Sequence, residues 1–349
     1  MYDDRLADLG LDVEAVDFEL RERETTSGFT RTTTTVTLHG DGRTGRGEDV
    51  VYDSEPHYEL VESAPDFGLA GAYSFDEFSG LLGEVDLFSG TVPDSGIFRN
   101  YRRWAFESAA LDLALKQAGT DLASRLDRGY SPVRFVVSTR LREPPTGERV
   151  EEWLDRDPDL EFKLDPTGEW SSELIGRLAD TGAVRTLDLK GKYEGTDVDQ
   201  SADPALYRRV IEGFPDAVIE DPDLTAETRP LFEGHEDRVS WDYPIRGVET
   251  VEALPWEPDW LNIKPSRFGT VESVLETIEY CERRGISLYG GGQFELGVGR
   301  QHIQALASLF YPKGPNDIAP SGYNDPEPAD DLPSTPLPAP ADPDGLEWE

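Results

Sequence analysis

From about Val133 onward, short apolar runs alternate with longer stretches whose apolar residues recur every three or four positions. The runs are RFVVS, LEFK, VRTLDL, AVIE, RVSW, WLNIK and ISLYG. Each is too short for a typical helix and reads as a strand buried on both faces. Between them, Leu174, Ile175 and Leu178 form one stripe, as do Leu206, Val210, Ile211 and Phe214, and then Val271, Val274, Leu275, Ile278 and Cys281. That spacing gives each helix a single buried face. Repeated strand–helix units predict a parallel sheet, and this many closing on themselves predict an α/β fold of the (β/α)-barrel type, a modified TIM barrel, over residues 126–323. An open doubly wound sheet is the alternative, but no GxGxxG follows an early strand to support it.

Residues 1–125 follow another pattern. Residues 14–20 and 30–38, the latter reading TRTTTTVTL, predict two strands of a small antiparallel meander. The stretch 99–118 runs without Gly or Pro to a natural stop at Gly119, as a long helix would. Together they predict an N-terminal α+β domain. Residues 324–349 are acidic and rich in Pro and Ala, and periodicity is lost there. They read as an extended tail draped over the other domain, with disorder beyond Pro333 as the alternative.

The length of 349 residues suits a barrel of roughly 200 to 250 residues plus an accessory domain. Seventy-one acidic residues against 33 basic give a net charge of -38, spread along the chain, which we read as the solvated surface of a halophile. Such charge repels nucleic-acid phosphates and anionic lipid alike, so neither is an expected partner. One cysteine, Cys281, forms no internal disulfide, and no apolar run has signal or membrane length. A soluble, cytoplasmic protein is expected. The lysines are only six: Lys116, Lys163, Lys190, Lys192, Lys264 and Lys313. Lysine can be tuned to give up its proton and arginine cannot, so these six draw attention. Lys116 and Lys313 read as ordinary leftovers.

Polar residues gather where strands should end. Lys163 and Asp165 close LEFKLD, Asp188 and Lys190 close VRTLDLK, Glu220 closes AVIE, Asp242 closes RVSWD and Lys264 closes LNIK. The C-terminal ends of barrel strands face one mouth, so these residues converge. Any one acid reads equally as a solvated strand end. Three on successive strands repel one another unless a cation sits among them, and hard oxygen donors suit Mg²⁺.

The order Lys, Asp, Glu, Asp, Lys on strand ends two to six, followed by GGGQFELGVGR over residues 290–300, resembles the muconate-lactonizing branch of the enolase superfamily, including its o-succinylbenzoate synthase-like members. Gly45-Arg-Gly47-Glu48 is similar to the GxGE of that family's capping domain, SAALDLALKQAG to its linking helix, and residues 316–321 to its short eighth strand. The resemblance implies an N-terminal α+β capping domain and one Mg²⁺ held by Asp188, Glu220 and Asp242. It also implies a Mg²⁺-dependent lyase or isomerase that takes the α-proton of a small carboxylate through a metal-stabilised enediolate. Lys264 stands where the family has an acid/base lysine, and Lys163 matches the first lysine of its KxK. A homo-oligomer is expected.

Two departures stand out. Asp165 occupies the place of the second KxK lysine, and Asp188-Leu-Lys190 stands where DxN is usual. Either Lys190 or Lys192 supplies the missing base or Lys264 acts alone, and for Lys192 a place on the loop surface is the plainer reading. One-base syn elimination or cycloisomerisation is therefore favoured over racemisation. No His ends strand seven, which disfavours the acid-sugar dehydratases. Glu295 and His57 are possible substrate or supporting residues, and residues 24–29 and 53–58 are the loops expected to set substrate choice. The alternative is a catalytically silent barrel with a binding or assembly role.

Overall fold

In the computed structural model, which describes residues 3–25, 28–141, 143–193, 198–327 and 329–348, the threonine-rich run is the central strand of an antiparallel sheet. Its order is β2 (Ala15–Glu24), β3 (Thr30–Gly40), β4 (Arg43–Asp49). A second pair joins β1 (Gly10–Val13) to β5 (Gly71–Ser74). Helices α1 (Glu55–Ser63), α2 (Phe75–Glu84), α3 (Ile97–Gln117) and the short α4 (Leu122–Leu126) complete this part. α3 lies directly on β4 because two glycines allow it. A Cβ at Gly45 would fall 2.2 Å from the Ala109 carbonyl oxygen, and one at Gly47 would fall 1.9 Å from that of Ala105. Either side chain would lift the helix off the sheet, so the GxG spacing is a packing requirement.

The apolar runs form one parallel sheet in chain order: β6 (Val137–Thr139), β7 (Phe162–Leu164), β8 (Val184–Asp188), β9 (Val218–Glu220), β10 (Val239–Trp241), β11 (Trp260–Ile263) and β12 (Ser287–Gly290). The helices between and after these strands are α5 (Glu148–Arg156), α6 (Ser172–Asp180), α7 (Pro204–Gly213), α8 (Val248–Glu252), α9 (Pro265–Phe268), α10 (Val271–Arg284) and α11 (Val298–Phe310). The residues of the three predicted stripes are all buried. The sheet curls until its edges are linked through Asn316, which bridges Phe135, and Asp317, which bridges Gly291. The expected eighth strand is thus corrected to two single bridges. Pro315 and Pro320 remove ladder donors nearby, and the Asn316 side chain takes over, accepting from Gly290 N–H at 2.7 Å and donating to the Arg134 carbonyl at 2.8 Å.

The two parts are tied by one carboxylate. Glu48, at the end of β4, is buried and accepts backbone N–H bonds from Leu296 (2.6 Å), Gly297 (3.0 Å) and Gly299 (2.8 Å) at the start of α11. A negative side chain is favoured there by the helix dipole and the unpaired donors of the first turn.

Residues 324–348, though without periodicity, are seated on both parts. Leu337 and Leu346 are buried, and Leu337 exchanges backbone hydrogen bonds with Val133. Glu347 contacts Arg46 (2.6 Å) and Lys116 (2.7 Å). Lys116, which reads as an ordinary leftover in the sequence, is buried in the structure, and it also pairs with Asp112 at 2.8 Å. Lys313 is exposed. Among the described residues no helix is long and apolar enough to cross a membrane.

Candidate metal centre and active site

The ends of β8, β9 and β10 bring Asp188, Glu220 and Asp242 together. One carboxylate oxygen from each lies within 4.8 Å of the others, and all three side chains are fully buried. Parallel register explains the convergence, since Asp188 lies opposite Glu220 and the short β10 continues directly into Asp242.

Every oxygen of the three has a donor. Asp188 Oδ1 accepts the Lys190 backbone N–H at 3.0 Å, while Oδ2 meets the ammoniums of Lys190 and, at 3.2 Å, Lys163. Glu220 Oε1 contacts Lys163 Nζ, and Oε2 accepts from Tyr289 OH and from Asn262 Nδ2 at 3.2 Å. Asp242 Oδ1 accepts from Arg267 at 2.8 Å, and Oδ2 takes Tyr193 OH at 2.8 Å and Lys264 Nζ at 2.9 Å.

The electrostatics follow from this crowding. Burial pushes Glu220 well above the usual carboxylate range, and the charges of Asp188 and Asp242 add to it against the pull of Lys163. Burial works the other way for Asp188 and Asp242 than their cations do. Lys190 and Lys163 win at Asp188 and hold it low, and Arg267 and Lys264 bring Asp242 down to about 2. Asp221, buried beside Asp242 and Asp188, is raised to about 7 while it accepts the backbone N–H groups of Asp242 (2.9 Å) and Tyr243 (2.8 Å). Lys163 is raised well above its ordinary value, because Glu220 and Asp188 outweigh the effect of burial, and it stays an ammonium.

The donor set fits a hard divalent cation: three buried carboxylates, with no His or Cys in the group. Lys264 reaches it through space that a glycine leaves. A Cβ at Gly291 would fall 2.7 Å from Lys264 Cε, so the GGG turn after β12 makes room for the lysine stem. The N-terminal part roofs the same mouth. Tyr52 OH donates to Gln293 Oε1 at 2.8 Å, and buried Arg31 donates to the Gln293 carbonyl at 3.1 Å. Phe29 packs edge-on against Phe294 with centroids 5.6 Å apart. Thr26 and Ser27, within the loop expected to set substrate choice, lie outside the described residues.

Other predicted residues take different places. Asp165 pairs with Arg140 at 3.2 Å and lies 3.6 Å from Lys190 Nζ. Lys192 is half-buried, with its ammonium 5.6 Å from the centre of the Trp241 ring. Glu295 is held in its turn by the Gln293 N–H (2.6 Å) and Arg300 (3.2 Å). The expected loop placement of His57 is corrected. It lies on α1 rather than on an open loop, is fully buried, and engages Thr34 and the Val51 carbonyl through its two nitrogens, each at 2.9 Å, which leaves no edge for a substrate.

Sequence reasoning missed Asn262, Arg267, Tyr193, Tyr289 and Asp221. Asn262 was within reach of it, because it precedes Lys264 by two residues and so shares its face of the strand. Arg267 follows Lys264 by three residues, on the short helix α9. Tyr193 and Tyr289 carry no local signal.

The sequence and the fold are similar to those of known proteins. The chain is 25% identical over 240 residues to o-succinylbenzoate synthase of Bacillus subtilis (strain 168), which covers 66% of this chain and 63% of that protein. A shorter stretch of 86 residues is 37% identical to the o-succinylbenzoate synthase of Listeria innocua, covering 24% of this chain and 23% of that protein. The fold matches an enolase-superfamily member from Listeria innocua with a TM-score of 0.70 at 19% identity, covering 91% of this chain and 88% of the other. It also matches a dipeptide epimerase from Enterococcus faecalis V583 with a TM-score of 0.69 at 14% identity, covering 97% and 99%. The fold is that of the enolase superfamily, with the parallel sheet and separate antiparallel sheets described above. Residues 4–125 and 129–325 match the N-terminal and C-terminal domains of one family, described as a domain of unknown function, DUF8230, and the chain belongs to that family.

Proposed function

We propose that this protein is a Mg²⁺-dependent lyase or isomerase that removes the α-proton of a small carboxylate, in a cycloisomerase or o-succinylbenzoate synthase-like reaction. The observation that supports it is the convergence of three buried acids from successive strands with a lysine beside them. When bound, Mg²⁺ supplies positive charge where the substrate carboxylate gains negative charge. Lys264, 2.9 Å from Asp242, is the base in this reading and takes the proton at Nζ. Lys163, buried between Glu220 and Asp188, serves as a fixed cation that steadies the carboxylate. A partner base is missing from the second strand, where Asp165 is paired with Arg140. One-base chemistry therefore fits better than racemisation. A cytoplasmic location, a homo-oligomer and a halophilic surface belong to the same reading.

The lost lysine also favours a second reading, a silent barrel with a binding or assembly role. Calorimetric titration with Mg²⁺, followed by turnover and α-proton exchange assays on succinylbenzoate-type, muconate-type and N-acylamino acid substrates, separates the two. Saturable Mg²⁺ binding with exchange of the α-proton is expected; neither binding nor exchange would leave only the second.

A further inference from the structure

Three lysines and one arginine crowd the three acids, yet they are not equivalent. Lys163 bridges two of the acids with 2% of its side chain exposed, and the Lys264 stem is fixed against Gly291. Lys190 touches one acid, Asp188, and its side chain is the most open of the three at 12% against 8% for Lys264. Its ammonium also lies 3.6 Å from Asp165 and 5.1 Å from the centre of the Tyr193 ring, so a second carboxylate and an aromatic face await it one short swing away. Its backbone is left-handed, with φ at 54°, a conformation that costs a non-glycine residue roughly 1 kcal/mol and persists where local contacts impose it. Here the turn is held by the Lys190 N–H to Asp188 Oδ1 and the ammonium to Oδ2, and by the flanking backbone bonds of Leu189 to Glu220 and of Gly191 to Asp221, each at 2.9 Å.

We propose that Lys190 is a built-in competitor for the metal site: it and a divalent cation contend for the same oxygen of Asp188, and binding of the cation moves the ammonium onto Asp165. The inference rests on the metal reading above and adds that affinity at this site is set by a residue outside the ligand set. Asp188 Oδ2 already meets two ammoniums, Lys163 at 3.2 Å and Lys190, and a divalent cation on the same oxygen would be repelled by both, so the less tightly held ammonium is the one displaced. Each lysine has a further carboxylate in reach, Asp317 at 3.5 Å from Lys163 and Asp165 at 3.6 Å from Lys190, but Lys163 bridges two of the acids whereas Lys190 holds one, so Lys190 is the one released. Asp165, which stands where the family resemblance expects a lysine, then has a role as the receiving carboxylate.

The test uses the whole chain with Mg²⁺ or Mn²⁺ alone. Calorimetry with Mg²⁺ and electron paramagnetic resonance with Mn²⁺ would compare wild type with Lys190→Asn and Asp165→Asn. Lys190→Asn should bind either ion on the order of tenfold more tightly, by analogy with the loss of an opposing charge at a partly buried site. Asp165→Asn should weaken binding in wild type and have a smaller effect in the Lys190→Asn background. On the unaltered protein, mass-spectrometric labelling with an amine-reactive acetylating reagent should find Lys190 more reactive at saturating Mg²⁺, with Lys163 unchanged. Equal or weaker affinity in Lys190→Asn, or labelling of Lys190 indifferent to Mg²⁺, overturns the inference and leaves the metal site standing. If wild type and both variants bind neither ion, the metal reading falls and takes this inference with it.

Discussion

Two ionic clusters in this protein, one at the barrel mouth almost fully buried and one half-buried, are built from similar parts and differ in how they are closed. At the barrel mouth, Asp188, Glu220 and Asp242 meet Lys163, Lys190, Lys264 and Arg267. Under the C-terminal segment, Asp112 and Glu347 meet Arg46 and Lys116, with the buried His302 electrostatically coupled to them. In the second cluster Lys116 is held by both acids, and the chain itself closes on the group through buried Leu346, whose N–H donates to Asp112 Oδ1 at 2.9 Å. In the first, three acids point at one volume under a roof of loop contacts from Phe29 and Tyr52. The contrast teaches that burial of charge is not by itself a sign of chemistry: convergence of like charges is.

The largest effect that would sharpen this contrast lies at Lys264. Lys264→Arg keeps the charge and removes the base, so kcat on the substrate found by screening should fall by about 10² to 10⁴ with Mg²⁺ affinity retained. Near-native turnover would move the base elsewhere.

Next come paired losses of stability. Lys163→Met strips the buried Glu220 and Asp188 of a cation, and Lys116→Met does the same to the buried Asp112, and each should cost about 3 to 5 kcal/mol in urea unfolding. Mg²⁺ should restore much of the loss in Lys163→Met and none in Lys116→Met. Rescue of both, or of neither, breaks the distinction between the clusters.

A smaller effect is a pH slope. His302 is fully buried, and among the described residues neither ring nitrogen has a hydrogen-bond partner. Burial brings it down to about 3, with Glu347 opposing and Lys116 and Arg46 assisting. An unfolded-chain histidine titrates near about 6.5. Between those values the unfolded chain binds the extra proton, so stability is complete above the upper value and declines as pH falls toward the lower. His302→Leu should flatten the stability curve between pH 6 and 4 by up to about 1.4 kcal/mol per unit. An unchanged slope would mean the imidazole is not kept neutral.

The last is distributed over the surface. With a net charge of -38, the melting temperature should rise with KCl into the molar range, since screening shortens the Debye length from about 10 Å at 0.1 M to about 3 Å at 1 M. A flat response would count against a surface adapted to salt.

Much of this was legible in the chain. Short apolar runs and 3.6-period stripes located the seven parallel strands and the stripes on α6, α7 and α10, because strands buried on both faces and amphipathic helices leave those patterns in the sequence. The strand-end acids were legible for the same reason, since strand ends in a barrel share one mouth. What stayed hidden depends on contacts between strands. Asp165 and Lys190 are 25 positions apart and meet only because β7 and β8 are neighbours. The seat of Leu346 and the burial of Lys116 depend on residues more than 200 positions apart. His57 looked available because DSEPHY reads as a loop, whereas Pro56 sits in the first turn of α1, where proline is well tolerated.

The Glu48 carboxylate has a mechanical consequence. It satisfies the amides that lead into α11, and a rigid-body tilt of the N-terminal sheet would strip three N–H groups, that of Gly299 buried and those of Leu296 and Gly297 half-buried, of their acceptor at once. The β4–α11 junction is therefore a weld and not a hinge, and access to the mouth falls to the segments bearing Phe29 and Tyr52. Hydrogen exchange should show it: the amides of Leu296, Gly297 and Gly299 would open only with global unfolding, while those of Gly28 and Phe29 exchange through small local excursions.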